Sequence, residues 1–214
     1  MNLFSILLLF IFSFPFLVYG SNNAGAFIEN GIQARASGMG MSHVSIAQNS
    51  DAIYWNPALL SFSTNPEVRF MGTQAYETHY VSMQGLFTIM GHPIGVGIIN
   101  AYMDDIKETT YDETTSRYTF SGNTLFYNAT ASYLASSFHV LDSLSIGTSL
   151  KYLQERADHY QTFGIGLDVG MAYMLGKHIT LGANVQNLIQ PSMKRSLSSA
   201  TIDTVPTLFK LGGS

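Results

Sequence analysis

The sequence predicts an all-β protein, an antiparallel transmembrane β-barrel of about eight strands preceded by a hatch-like N-terminal segment. Three observations carry this. From residue 66 onward the chain alternates apolar residues with small or polar ones at a period of two, as strands with two unlike faces do. Charged residues make up only 11% of the 214 residues, against roughly 25% in an ordinary soluble domain. The alternating segments are roughly 10 residues long, the length a tilted strand needs to cross a bilayer.

The bulk numbers remove several alternatives. Mean hydropathy is +0.15, yet the body of the chain lacks the repeated runs of about 20 apolar residues that a helical membrane bundle requires. A barrel tolerates this value because its apolar and polar residues average out. The formal net charge of -4 offers no basic footprint for nucleic acid. The absence of cysteine excludes zinc-thiolate sites, disulfide frameworks, thiol catalysis and a lipid-anchored N-terminus.

Taken in order, residues 3–18 read LFSILLLFIFSFPFLV, an apolar run shorter than a spanning helix and broken by Pro15. With Gly20 ahead of Ser21 it reads as a signal peptide over 1–20. The alternative is an uncleaved anchor, because no basic residue precedes the run. Residues 21–65 lack strand periodicity and form the expected hatch or plug. Within them 36–61 reads ASGMGMSHVSIAQNSDAIYWNPALLS and carries the only Trp, Trp55. Gly38 and Gly40 flank Met39, a spacing that suits a tight turn or the close approach of a second backbone. Asn56 is placed to cap a short helix that begins at Pro57 and continues through Ala58.

Residues 66–214 hold the strands, expected at 67–76, 80–89, 93–102, 127–135, 144–152, 163–173, 179–187 and 207–212. In 163–173, Phe163, Ile165, Leu167, Val169, Met171 and Tyr173 share one face, and Gly164, Gly166, Asp168, Gly170 and Ala172 the other. In 144–152 and 179–187 the split recurs, and in 127–135 Tyr127, Ala129, Ala131, Tyr133 and Ala135 form the apolar side. Short turns are expected at 90–93, 141–143 and 175–177, and long polar loops at 103–122 and 189–206. Short turns alternating with long loops are an outer-membrane barrel pattern. Tyr76, Tyr80, Tyr102, Tyr118, Phe120, Phe126, Tyr127, Tyr152 and Tyr160 fall near strand ends, where they form an interfacial girdle or reflect the aromatic richness of strands in general. A soluble β-sandwich is the competing architecture, but its outer face should carry Lys and Glu. Here the non-apolar face carries Gly, Ser, Thr, Asn and Gln.

No motif points to catalysis or to a cofactor. Gly38-Met39-Gly40 lacks the third glycine and the βαβ context of a dinucleotide fingerprint, and neither a Walker motif, HExxH nor GxSxG is present. His43, His79, His92, His139, His159 and His178 are scattered singly and read as interfacial or loop residues. Asn128-Ala129-Thr130 is a chance sequon in mid-strand. Asp168, on the small-residue face, is expected to pair with Lys151 on the neighbouring strand. Asp104, Asp105, Glu108, Asp112 and Glu113 do not match an EF-hand spacing and read as solvated.

Residues 27–63, FIENGIQARASGMGMSHVSIAQNSDAIYWNPALLSFS, resemble the N-terminal signature of the PorV/PorQ family of outer-membrane proteins. The Ala-Arg-Ala-x-Gly-Met-Gly piece (Arg35, Gly38, Met39, Gly40) and the Trp-Asn-Pro-Ala piece (Trp55, Asn56, Pro57, Ala58) together carry the likeness. LSIGTSLKYLQER, FGIGLDVGMAYML and ITLGANVQNL are similar to that family's strands. The resemblance implies a FadL-like barrel plugged by an N-terminal hatch, in the outer membrane of a Gram-negative bacterium. It implies no enzyme activity and no cofactor or metal. Two roles follow from it: transport or shuttling of exported cargo in type IX-like protein secretion, or passive diffusion of hydrophobic compounds. The partners so implied are the lipid bilayer and either a secreted cargo or a hydrophobic ligand. A structural barrel without transport is a third reading. The chain departs from the family in strand number and in lacking a terminal aromatic. Eight strands close only into a narrow barrel filled by side chains, too small for a plug of this size. The expectation is an incomplete chain with an open sheet.

Overall fold

The computed structural model of the protein describes residues 24–29, 33–63, 65–75, 77–176, 178–195 and 202–214. The signal peptide expected over 1–20 lies outside them. The alternating region forms β1 (Glu67–Ala75), β2 (Thr78–Ile89), β3 (His92–Asp112), β4 (Arg117–Leu141), β5 (Leu144–Ala157), β6 (Tyr160–Leu175), β7 (Ile179–Ile189), β8 (Ser192–Arg195), β9 (Ile202–Thr204) and β10 (Leu208–Gly213). The main path runs in chain order from β1 to β7 and ends on β10, and every pairing is antiparallel. Among the described residues no ladder joins β1 to β10, so the expected barrel is observed as an all-β antiparallel sheet. No helix among those residues is long and apolar enough to cross a membrane.

The two expected long loops are corrected. Most of 103–122 continues β3 and β4 as one extended hairpin, paired to its tip through Asp112↔Arg117. Its charges suggested a loop, but Thr109, Thr110, Tyr111, Tyr118 and Phe120 are β-branched or aromatic and favour a pleated ladder. Within 189–206, β8 pairs with both β6 and β9. This segment sets Pro191 over Gly166 and Met193 over Gly164.

Residues 24–29 and 33–63 include α1 (Ala26–Glu29), α2 (Ala34–Gly38), a 3-10 turn (Asn49–Asp51), α3 (Ala52–Trp55) and a 3-10 helix (Pro57–Phe62). The expected hatch is therefore a distinct non-strand unit. It meets Glu67 on β1 at one end of the sheet path and Gly212 on β10 at the other, so the sheet wraps around it. The core lies between the two. Ile53, Trp55 and Leu60 are fully buried there, each contributing about 1.5–3 kcal/mol relative to exposure.

The strand faces sort by what they meet. On β5, Ser145, Gly147, Ser149, Lys151 and Leu153 are buried toward the hatch. Leu150 between them is 48% exposed and Tyr152 is likewise exposed. On β6 the greasy face, including Phe163, Ile165 and Met171, is exposed, and Gly164, Gly166, Asp168, Gly170 and Ala172 are buried. β4 departs from the expected grouping. Ala129, Ala131, Tyr133 and Ala135 face the hatch, while Leu134 and Phe138 face out. Alanine counts as apolar in a sequence pattern, but its small volume is what a close-packed seat selects.

Candidate functional site: the hatch and its seat

Five inward glycines on five strands leave the room in which the hatch lies. A Cβ at Gly95 would stand 2.5 Å from the Ile53 side chain, one at Gly147 2.3 Å from the Pro57 carbonyl carbon, and one at Gly170 2.1 Å from Asn56 Oδ1. At Gly182 it would stand 2.4 Å from the Val44 carbonyl oxygen and at Gly212 2.6 Å from the Val44 side chain. Register links them across the sheet, through Gly147↔Gly170, Ala172↔Gly182 and Gly182↔Gly212. At Gly147 and Gly182 the hatch backbone, and at Gly95, Gly170 and Gly212 the hatch side chains, lie closer to the sheet backbone than a Cβ would permit.

Polar side chains of the sheet satisfy the hatch backbone that this close approach buries. Asn184 Nδ2 donates to the Trp55 carbonyl at 2.8 Å, Gln186 Nε2 to the Tyr54 carbonyl at 2.8 Å, and Ser145 Oγ to the Ala58 carbonyl at 2.7 Å. At the two ends, the Gly25 amide donates to Glu155 Oε1 at 2.8 Å and Ser61 shares a 2.6 Å hydroxyl contact with Ser137. Buried carbonyls left unpaired would each cost about 1–3 kcal/mol. Asn184, Gln186 and Ser145 therefore pair with the hatch, whereas Ser149 on the same face of β5 does not.

Asn56 joins both units. Its Oδ1 accepts from the Ala58 amide at 3.2 Å, capping the Pro57–Phe62 helix as expected, and its Nδ2 donates to the Val44 carbonyl at 2.9 Å and to the β6 carbonyl of Met171 at 3.1 Å. Trp55 lies beside it, with its Nε1 donating to Gln33 Oε1. The Lys210 ammonium stands 4.6 Å above the Trp55 ring. Tyr54 donates its hydroxyl to the Ile28 carbonyl. Burial first, and then the charges of Asp168 and Glu29, raise its phenol above the ordinary value.

Under the hatch lies the pair expected from the sequence. Lys151 Nζ is 2.7 Å from Asp168 Oδ1, with both side chains almost fully buried. The same oxygen accepts from the Asn187 amide at 2.7 Å. Asn187 has a φ of 56° and lies where the β6–β7 register slips between Leu167 and Val169. The bulge turns a ladder amide toward the carboxylate.

The motif residues singled out from the sequence divide into two groups. Trp55, Asn56, Pro57 and Ala58 are buried in the seat. Arg35, Gly38, Met39 and Gly40 lie at the exposed rim, where Arg35 donates to Gln48 Oε1 at 2.9 Å. Nothing lies within 4 Å of a Cβ built at Gly38 or Gly40, so no second backbone approaches there. Gly40, at φ 61°, serves a turn, and the Met41 amide folds back onto the Ala36 carbonyl at 2.8 Å. A second cluster, with its His43 and Asp51 buried, lies beside β1 and carries no motif in the sequence. Asp51 meets Arg69 Nη1 at 2.5 Å, with His43 Nε2 at 3.7 Å, and Glu67 accepts from Asn49, Ser50 and Arg69. Burial acts to raise the Asp51 carboxyl, but His43 and the Arg69 guanidinium outweigh it and hold the group below the usual carboxylate value.

The seat glycines, Asn184, Gln186 and Ser145 were also missed as a set. Their signal was present as alternate small and polar positions, without a partner to read them against. Among the described residues no three His, Asp or Glu side chains converge as metal ligands. Comparison with models of protein families, with characterised proteins and with solved structures returns no match.

Proposed function

We propose that this chain is a non-enzymatic wall-and-plug protein of the bacterial outer membrane, of the PorV/PorQ type, acting in transport or in the shuttling of exported cargo. The observation that carries the reading is the inverted polarity of the sheet. The outward face presents Val81, Met83, Phe87, Ile98, Leu134, Leu150, Ile165, Met171 and Leu181 to the surroundings, while charged and amide groups point inward to the hatch. An exposed apolar surface of this extent marks a membrane or an interaction surface. On β5, β6 and β7 the apolar outward positions cover 144–152, 163–175 and 179–189, close to the 9–11 residues of a tilted spanning strand.

The shuttling role rests on the likeness of 27–63 to the family signature. A second role, passive passage of hydrophobic compounds, is favoured by one feature. A groove of about 830 Å³ lies between the hatch and β10, with Met39, Met41, Val44 and Leu208 among its lining.

The membrane reading is tested by separating inner and outer membranes from cells that make the protein. Recovery in the outer-membrane fraction, resistant to alkaline extraction, is the expected result; a soluble periplasmic monomer overturns it. The roles separate in two further measurements. Crosslinking of exported proteins to the chain supports shuttling, and flux of a hydrophobic solute into liposomes carrying the chain supports passage.

A further inference from the structure

Three soft donors occupy alternate positions of one short run, Met39-Gly40-Met41-Ser42-His43. The run is folded into a turn. The Ser42 amide donates back to the Met39 carbonyl at 3.3 Å, and the two residues between them, Gly40 and Met41, have φ values of 61° and 65°. Positive φ at both central positions marks a type I′ turn, which glycine adopts freely and methionine only under strain. Strain of this kind at a non-glycine residue collects at ligand clamps and other functional sites.

Met39, Met41 and His43 all line the groove of about 830 Å³ between the hatch and β10. The two methionines are partly exposed, whereas His43 is 1% exposed. Among the described residues neither ring nitrogen of His43 has a hydrogen-bond partner, although buried polar groups are nearly always paired. Its Nε2 lies 3.7 Å from Asp51 Oδ2. A carboxylate on that side is what orients a metal-binding imidazole, through the nitrogen that does not bind the metal. With Nε2–H turned to Asp51, the Nδ1 lone pair is left for a ligand.

We propose that Met39 Sδ, Met41 Sδ and His43 Nδ1 bind a soft monovalent cation, copper(I). Thioether sulfur suits copper(I), imidazole suits copper as well, and the hard cations magnesium and calcium prefer oxygen. Zinc in proteins is held by thiolate, imidazole and carboxylate rather than by thioether. The chain has no cysteine, so no thiolate competes for the ion. The Lys210 ammonium lines the same groove, 4.6 Å from the Trp55 ring. Its repulsion doubles for a divalent ion, which favours copper(I) over copper(II). The proposal goes beyond transport or shuttling, assigns a metal where the family resemblance implied none, and does not depend on whether the outward face lies in lipid.

The test uses the purified full chain in detergent under anaerobic conditions, with copper(I) supplied as its acetonitrile complex in competition with bathocuproine disulfonate. The expected result is one tightly held copper(I) per chain, with two sulfur neighbours and one nitrogen neighbour in X-ray absorption. Met39→Leu and Met41→Leu conserve volume at partly exposed positions. Each should weaken binding about tenfold, and the double variant about a hundredfold. Met90→Leu, at a methionine 96% exposed in the turn after β2, should leave binding unchanged. Failure of the unaltered chain to hold copper(I) overturns the proposal, as does undiminished binding by the double variant. So does a loss in Met90→Leu as large as in Met39→Leu, or zinc(II) held as tightly as copper(I). A copper shell of nitrogen and oxygen alone also overturns it, and that measurement needs no variant, so it decides the matter even where the double variant misfolds.

Discussion

Leu150 and Lys151 are consecutive residues of β5, and their environments are the reverse of those found in a water-soluble sheet. Leu150 is 48% exposed and Lys151 2%. The same inversion runs across the apolar band of β2 to β7, so the two faces there obey different constraints. The inner face is limited by volume and by hydrogen-bond satisfaction, because the hatch backbone lies against it. The outer face is limited by polarity alone, since its side chains project without close neighbours. The inner face should therefore respond to size and charge removal, and the outer face to the solvent it is placed in.

The largest expected effect is on the inner face. Lys151→Met leaves Asp168 buried without its partner and should destabilise the fold by about 3–5 kcal/mol, whereas the double change with Asp168→Leu should recover most of that. Denaturant midpoints of the native protein and of the two variants check this, and a single variant with an unchanged midpoint would show that the pair is not buried in solution. Its neighbour gives the sharpest contrast. Leu150→Arg should cost about 2–4 kcal/mol when the protein is folded into lipid vesicles. As a surface change in water it should stay within about 0.5 kcal/mol. Equal, small effects in both settings would remove the outward face from the bilayer.

Smaller effects map the seat. Gly170→Val places atoms where Asn56 Oδ1 already lies and should cost about 1–3 kcal/mol through overpacking, with faster proteolysis of the hatch. Gly38→Ala, in open space, should leave the cleavage rate unchanged. Asn56→Ala removes the cap and the link to Met171 and should cost about 0.5–2 kcal/mol, read from the same proteolysis assay. The smallest effect is one of pH. The folded Asp51 carboxyl lies below its ordinary value, so its contribution is complete above about pH 4 and is lost as pH falls through the lowered value. Thermal midpoints of the native protein and of Arg69→Gln should diverge at neutral pH and converge in acid; parallel curves down to strong acid would show that Asp51 is not the group involved.

Much of the fold was legible in the residues because alternation is a local property. β1, β5, β6, β7 and β10 begin or end within a few residues of where the pattern placed them, and the hatch segment was marked by the absence of alternation. The Asn56 cap and the Lys151–Asp168 pair were legible for a related reason, since each follows from residue type and strand adjacency. The extended β3–β4 hairpin was hidden because charge suggests a loop even where Thr and Tyr favour a strand. The glycine seat was hidden because an inward glycine looks the same whether it faces a void, water or another backbone.

By itself, then, the sequence determined that this chain forms strands with one greasy and one small or polar face, preceded by a Trp-bearing unit that cannot be a strand. The expected barrel, with its greasy exterior, already implied which face turns inward; only the tertiary structure decided what that face meets there, and why its residues are small. The hatch fills the interior and needs backbone-to-backbone contact, so glycine, alanine and amide side chains had to face it. The large apolar residues, with no room against the hatch, were left on the outside.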